Sequence, residues 1–508
     1  MPHHIYDISM DLESLKDLRK QKPAIRSKNS AAALGLNTTL DPYTPDESSP
    51  WNRRRAAHLL RRMQFGASQQ MISHILNGDP SAIVDQNILL ARELNLPQPP
   101  EWWNTPPPVQ GSPQSEFQAF FQMNQQWYLE YQREWLYEMQ RNPLREKMAL
   151  FWHDHFATEI SNYQLAAFTV RHLQLLRSHA LGNFKTLVRE IGLDQAMLIY
   201  LNGVQNRVGD PNENFARELL ELFTMGLGHY SQDDISEIAR ALTGYNVNYY
   251  TFETGFNPNR HDSGEKTFFG RTGNFGYNDV INIIFEERAE EIAEFVCSKI
   301  YSFFCYEYPN PQIITGMKQV FLDSGFEIAP VIEILLKSEH FYDDEIIGAK
   351  IKSPVEFLIS MYQETQEPAK GEVRMLEPNF LFVLEQFLFN PPNVAGWPEY
   401  RSWLDTSTLQ FRWFISQYNL FYVSPEYQVD FIAIAQKTSD PNDPYQLVAE
   451  LADYMLSVPL PESEFEKLPE VLLQGTPDYE WNINNDGAAV RILNLMNHIR
   501  QLPEYQLT

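Results

Sequence analysis

Cysteine is almost absent from this chain of 508 residues: only Cys297 and Cys305 occur, in the run CSKIYSFFC. Eight residues apart on one helix they lie about 12 Å from each other along its axis. A disulfide between them requires a broken helix. The fold must therefore stand without staples, and the count fits a reducing compartment. Thiols in so apolar a run are expected to be inert. No apolar run reaches transmembrane length, and the start, MPHHIYDISMDLESLKDLRKQK, holds no stretch like the apolar part of a signal peptide. The expectation is a cytoplasmic protein with no membrane span. Basic residues are scarce as well: 40 Lys and Arg face 66 Asp and Glu, a formal charge of −26. Such a surface repels phosphate backbones, which argues against nucleic acid as a partner. Also missing are a GxxxxGK(S/T) loop, a dinucleotide fingerprint, CxxC and CxxCH pairs, an HExxH helix and a GxSxG elbow. P-loop nucleotide hydrolysis, covalent haem and the common hydrolase templates are left without support.

What is present is apolar and helical. With 43% hydrophobic and 13% aromatic residues, a chain of this length buries a large core. Residues 1–50 mix charge, Ser, Asn and Pro (TLDPYTPDESSPW) and read as a weakly ordered arm. Apolar spacing of three and four residues begins at Arg53, in RRRAAHLLRRMQFGAS, a helix expected to stop at Gly66. The proline-rich stretch at 95–115 reads as a surface loop in which Trp102 and Trp103 either cap a cleft or simply pack. Helical periodicity resumes from 116 to 246, with segments ending at Gly182, Gly203 and Gly226, and again from 279. Between 249 and 278 the texture turns aromatic and glycine-rich, suggesting a loop that holds a short hairpin. The expected fold is mainly α: a large multi-helical core domain over 51–425 with a small irregular β-hairpin insert, and a C-terminal helical extension over 426–508.

Six runs stand out in order: HLLRRMQFGA (58–67), KMALFWHDHFAT (147–158), NENFARELLELFTMGLGHYSQDDISEIARALTGY (212–245), HDSGEKTFFG (261–270), IKSPVEF (351–357) and NPPNVAGWPEYRSWLDTSTLQFR (390–412). In these runs the sequence resembles the large bacterial family catalogued as domain of unknown function 1800. The resemblance implies a bacterial origin and a mostly helical fold. Many such relatives are exported and encoded beside proteins of a sulfatase-like or phosphatase-like superfamily; this chain departs from them in showing no evident export signal. The family has no assigned activity, so the resemblance carries over no site residues.

The candidate site residues rest on chemistry instead. As a helix, NENFARELLELF puts Phe215, Ala216, Leu219, Leu220, Leu222 and Phe223 on one side and Glu213, Asn214, Arg217, Glu218 and Glu221 on the other. Turned inward, Glu218 and Glu221 are suited to acid/base work or metal ligation, with Arg217 tuning a neighbour or holding an anion. Turned outward, the same face is an ordinary solvated one with four-residue pairs of Arg217 to Glu213 or Glu221. In FWHDHF, His153, Asp154 and His155 lie in an apolar run and must find partners if buried. Either His155, with or without His153, gives nitrogen to a metal or proton network, or each ring is bonded to a backbone carbonyl. A continuous helix points the two rings about 200° apart, too far for one ion. His261 and Asp262 in HDSGEK are candidate ligands or an acid/base pair, with Lys266 as an anion contact; an Asx-turn ahead of Gly264 explains the same residues without chemistry. Trp397, Arg401 and Trp403 suit a rigid aromatic wall lining a substrate cleft, or plain packing.

Two functions follow. One is a metal-assisted enzyme, hydrolytic or oxidative, with zinc, iron or manganese held by His153, His155, His261 and Asp262 near Glu218, Glu221 and Arg217. The other is a non-catalytic binding or assembly partner of another protein. The first requires FWHDHF, NENFARELLEL and HDSGEK to converge on one polar cavity.

Overall fold

Helix-start signals in the sequence are used where they occur. In the computed structural model, which describes residues 38–365, 378–421 and 429–508, Asn52 caps α1 (Arg53–Met63) by accepting from the Arg55 amide, and Ser68 caps α2 (Gln69–Ile75) in the same way. Asp79 followed by Pro80 opens α3 (Pro80–Glu93), combining a capping carboxylate with a residue whose fixed φ suits the first helical position. Pro143 separates α4 (Gln114–Arg141) from α5 (Pro143–His155). Then come α6 (Ala166–Ser178), α7 (Phe184–Ile191) and α8 (Glu213–Glu218), which continues as a π-helical turn over Leu219–Thr224. Next is α9 (Gln232–Ala241), with a capping box between Ser231 and Asp234.

The glycine-rich insert forms two antiparallel hairpins where one was expected. In the first, β1 (Tyr245–Asn248) pairs with β2 (Glu253–Phe256), Tyr245 opposite Phe256; in the second, β3 (Lys266–Phe268) pairs with β4 (Arg271–Gly273), Lys266 opposite Gly273. Helices return with α10 (Tyr277–Glu287), α11 (Ala289–Phe304), α12 (Pro311–Asp323), α13 (Ile328–Leu336), α14 (Pro354–Thr365), α15 (Thr406–Phe421), α16 (Pro444–Met455) and α17 (Ala488–Gln501), with shorter turns between them. The protein is mainly α with a small β insert.

Two hydrophobic clusters form the bulk of the interior. One gathers α7 and α10–α13; the other gathers α4, α14, α16 and α17. α1 and α5 serve both: Leu59, Met63, Phe151 and Trp152 enter the first, Ala56, Leu60, Ala149 and Leu150 the second. The C-terminal helices expected as an extension thus share a core with α1 and α4. An α5 apolar on every side must be enclosed, and its charged residues are buried with partners. Glu146 accepts from Arg177 Nε and Trp135 Nε1, both at 2.8 Å, and Lys147 pairs with Glu356.

Gly66 does not end α1 as expected. The helix stops at Met63, and a Cβ on Gly66 would stand 2.8 Å from the Ser360 backbone. Its bare backbone is what lets α14 approach. Residues 1–37 of the expected arm lie outside the described residues. Within the rest of it, Tyr43 is buried, its amide donating to the Lys337 carbonyl at 2.8 Å and its ring 4.2 Å from that of Tyr342.

Candidate functional site

The end of α5 opens on a cleft of about 270 Å³ between the two cores. Leu150 and Asp154 come from α5, Ser302 and Phe303 from the end of α11, and Glu307 from the turn beyond it. The strand-like segment before α14 adds Lys350, Ile351 and Ser353, α14 adds Glu356, and the loop ahead of α15 closes the wall with Glu399, Tyr400 and Trp403. Three of the six sequence runs, separated by some hundreds of residues in total, meet here: FWHDHF, IKSPVEF and NPPNVAGWPEYRSW.

Local chemistry explains why. Ser353 and Glu356 form a capping box around Pro354 at the start of α14: Ser353 Oγ accepts from the Glu356 amide at 3.2 Å, and Glu356 Oε2 accepts from the Ser353 amide at 2.8 Å. The other oxygen of Glu356 holds Lys147. Burial alone would push this carboxyl up, but Lys147 and Lys350 beside it bring it down to about 2, so it stays ionised. Asp154 Oδ1 accepts the Trp397 amide at 2.7 Å. That bond needs Gly396, whose φ is +83° and whose missing Cβ would collide with the same oxygen. Tyr400 holds a left-handed φ of +61° without being glycine, a strained state held by its surroundings. Its hydroxyl donates to the Ala349 carbonyl at 3.0 Å.

The charges at the cleft are unequal. Burial and the nearby Glu399 carboxylate push Asp154 up to about 7, against the opposing pull of the Trp397 amide and Lys299. Glu307 is also raised by burial, and its Oε2 is buried with no hydrogen-bond partner among the described residues. Behind the wall, Lys299 donates to His155 Nδ1 at 3.2 Å, while the opposite nitrogen of that ring bonds the Phe223 carbonyl at 2.9 Å. The imidazole is neutral, held well below its usual range by burial and by Lys299.

The residues expected to hold a metal are not brought together. His153 accepts the Phe389 amide at Nε2 (3.0 Å) and is kept neutral by burial. His155 has both nitrogens engaged as above. His261 Nδ1 faces the Thr243 carbonyl at 3.0 Å. Asp262 is bound by Arg240 at 2.8 Å and caps its own turn through the Gly264 amide at 2.8 Å. Among the described residues no three His, Cys, Asp or Glu side chains gather as a ligand set. The required convergence is therefore corrected: HDSGEK closes on α9, and FWHDHF meets NENFARELLELF through the Phe223 backbone, away from its carboxylates. Arg217 spans Glu213 (3.3 Å) and Glu221 (3.5 Å) along α8, the routine pairing of an outward face, and Glu218 beside them is raised by partial burial and Glu221. Lys266 is buried as a strut, donating to the Asp262 and Gly264 carbonyls.

Of the aromatic wall, Trp403 lines the cleft. Trp397 packs its ring 5.3 Å from His153 and contributes through its amide, and Arg401 stays exposed at the rim. Trp102 simply packs, stacked on Trp127 at 5.3 Å, and Trp103 lies under Arg171. Sequence reasoning passed over Asp154 as a site residue and missed Lys350, Glu356 and Glu399. The S-x-x-E capping signature in IKSPVEF was a readable mark for Glu356.

The chain belongs to the family described as protein of unknown function (DUF1800), whose model matches residues 58–507. No curated protein and no solved structure matches it. No helix among the described residues is long and apolar enough to cross a membrane.

Proposed function

We propose that the chain is an enzyme that binds a small polar molecule in the cleft beside α5 and acts on it by acid–base chemistry, with Asp154 as the proton carrier. The observation that carries this reading is the meeting of three distant segments on one cavity, each supplying a polar or aromatic group: Asp154, Lys350, Glu356, Tyr400 and Trp403. A concave site with a few convergent polar groups and perturbed carboxyls is the usual form of a catalytic pocket. A carboxyl that changes charge near neutrality both gives and takes protons at working pH. The unpartnered oxygen of Glu307 and the strained backbone of Tyr400 are local costs that a bound ligand makes useful. This reading keeps an enzymatic role but replaces the metal set of His153, His155, His261 and Asp262 with a carboxyl acid–base group.

A crystallographic screen of small polar fragments tests it. Density in the cleft, against Asp154 and Trp403, is expected; fragments found only elsewhere would contradict it. The alternative, a docking partner for another protein, draws support from α15, where Phe411, Trp413 and Phe414 are 39%, 37% and 54% exposed on one helix.

A further inference from the structure

Three lysines lie close together in sequence or space around α14, and they differ in what holds them. Lys147 is ion-paired with Glu356, sits 4.9 Å over the Phe65 ring and does not line the cleft. Lys352 is buried, 3.7 Å over the Tyr505 ring, with no hydrogen-bond partner among the described residues, and does not line the cleft. Lys350 alone faces the cleft. Its ammonium donates to the Phe303 carbonyl and lies 5.1 Å over the Phe303 ring, and no carboxylate stands within ion-pair distance of it among the described residues. A lysine placed in a cavity with a carbonyl and a ring for company, and sharing that cavity's lining with the Asp154 carboxyl and Tyr400, has the surroundings of an amine kept available for reaction.

We propose that Lys350 forms an imine with the substrate, and hence that the cleft takes a small aldehyde or ketone. The inference rests on the acid–base reading of the cleft and names its substrate class. The charged groups facing Lys350 are Glu356 and Glu399, which favour its ammonium, and Arg62 and Lys147, which oppose it; burial outweighs them all and brings it down to about 8. At pH 7 the free amine is then on the order of two hundred times more abundant than in an ordinary lysine.

The step balances within the site. The unprotonated Nζ adds its lone pair to the carbonyl carbon, forming a C–N bond. The C=O π pair moves to oxygen, which takes the proton of the Asp154 carboxyl. The nitrogen then gives a proton back to the Asp154 carboxylate, leaving a neutral carbinolamine. Asp154 returns that proton to the hydroxyl, which departs as water while the nitrogen lone pair forms the C=N bond. One amine, one carbonyl and one proton give one iminium and one water, with no redox change. Glu356 and Glu399 flank the resulting positive charge.

The full chain is incubated at pH 7 with glycolaldehyde and cyanoborohydride, which reduces an imine to a stable secondary amine, and the adduct is mapped by peptide mass spectrometry. Lys350 is expected to label at least about tenfold faster than any other lysine, and Lys350→Arg, which keeps the charge, to lose the fast phase. Uniform labelling of the lysines, or an unchanged fast phase in Lys350→Arg, would overturn the imine. Mapping on the wild-type chain decides the matter even if the variant folds poorly. If fragments occupy the cleft but Lys350 is not trapped, the imine fails and the acid–base reading stands; if fragments avoid the cleft, that reading itself fails.

Discussion

The Lys299 ammonium donates to His155 Nδ1 at 3.2 Å, which fixes the proton of that ring on Nε2, where it reaches the Phe223 carbonyl. One lysine thereby bears on two neighbours. It adds to the burial that keeps His155 neutral, and it supplies the positive charge that restrains the rise of Asp154. The π-helical turn after α8 presents the Phe223 carbonyl to this chain of contacts, a role for irregular helix that is common near functional sites.

Replacing Lys299 by Met removes a positive charge that pulls Asp154 down. The Asp154 midpoint is expected to move above about 7, and carboxyl infrared difference spectroscopy across pH 5–9 reads it. A midpoint that falls or stays put would show that Lys299 does not act on Asp154.

Asp154 also leaves a mark on stability. Its folded pKa, about 7, lies above its ordinary value of 3.8. The folded state therefore holds the proton more tightly than the unfolded one. The stability from the protonated form is fully present below about 4, declines as pH rises, and is gone above about 7. Asp154→Asn keeps an acceptor for the Trp397 amide but cannot ionise. The Asp154 side chain is partly exposed, so solvent screens it; the variant is expected to exceed the wild type by about 1–3 kcal/mol at pH 8 in urea unfolding, and to lose that advantage below about pH 4. An advantage that does not change with pH would refute the raised carboxyl.

His153→Ala separates strut from ligand. The Phe389 amide, at a left-handed φ of +58°, would lose its acceptor inside the core. A loss of about 2–4 kcal/mol is expected from the cavity and the orphaned donor together. Metal content by elemental analysis should be the same in both proteins; a stoichiometric metal lost on substitution would restore the ligand reading.

Gly396→Ala strikes the cleft without touching a charge. An alanine there is strained at φ +83° and collides with Asp154 Oδ1, so a stability loss of about 1–3 kcal/mol is expected with a weakened bond to the Trp397 amide. Thermal unfolding checks the first effect and the Asp154 midpoint the second, which should rise as the donor retreats.

The helices were legible because periodicity is local: the apolar stripe of NENFARELLELF is buried as its spacing implied, with Phe215, Leu219 and Leu220 inside. The need of FWHDHF for partners was legible for the same reason. Which partners it found was not. His153 takes a backbone amide 236 residues away and Asp154 one 243 residues away, contacts that no local pattern encodes. Gly66 reads as helix-end punctuation, whereas a close approach by another segment is what requires both it and Gly396. The cleft belongs to the same class of feature: Glu356 sits in IKSPVEF and Lys350 just ahead of it, and beyond the capping signature nothing local marks either as a site residue until α5 and the loop ahead of α15 are placed beside them.

Carbon-13 NMR of the aspartate side-chain carboxyls, with the Asp154 signal assigned by its loss in Asp154→Asn, decides whether the cleft is an acid–base site. This one carboxyl is expected to titrate near pH 7, with a midpoint that moves when a fragment fills the cleft. A midpoint near 4, unchanged by ligand, would contradict it.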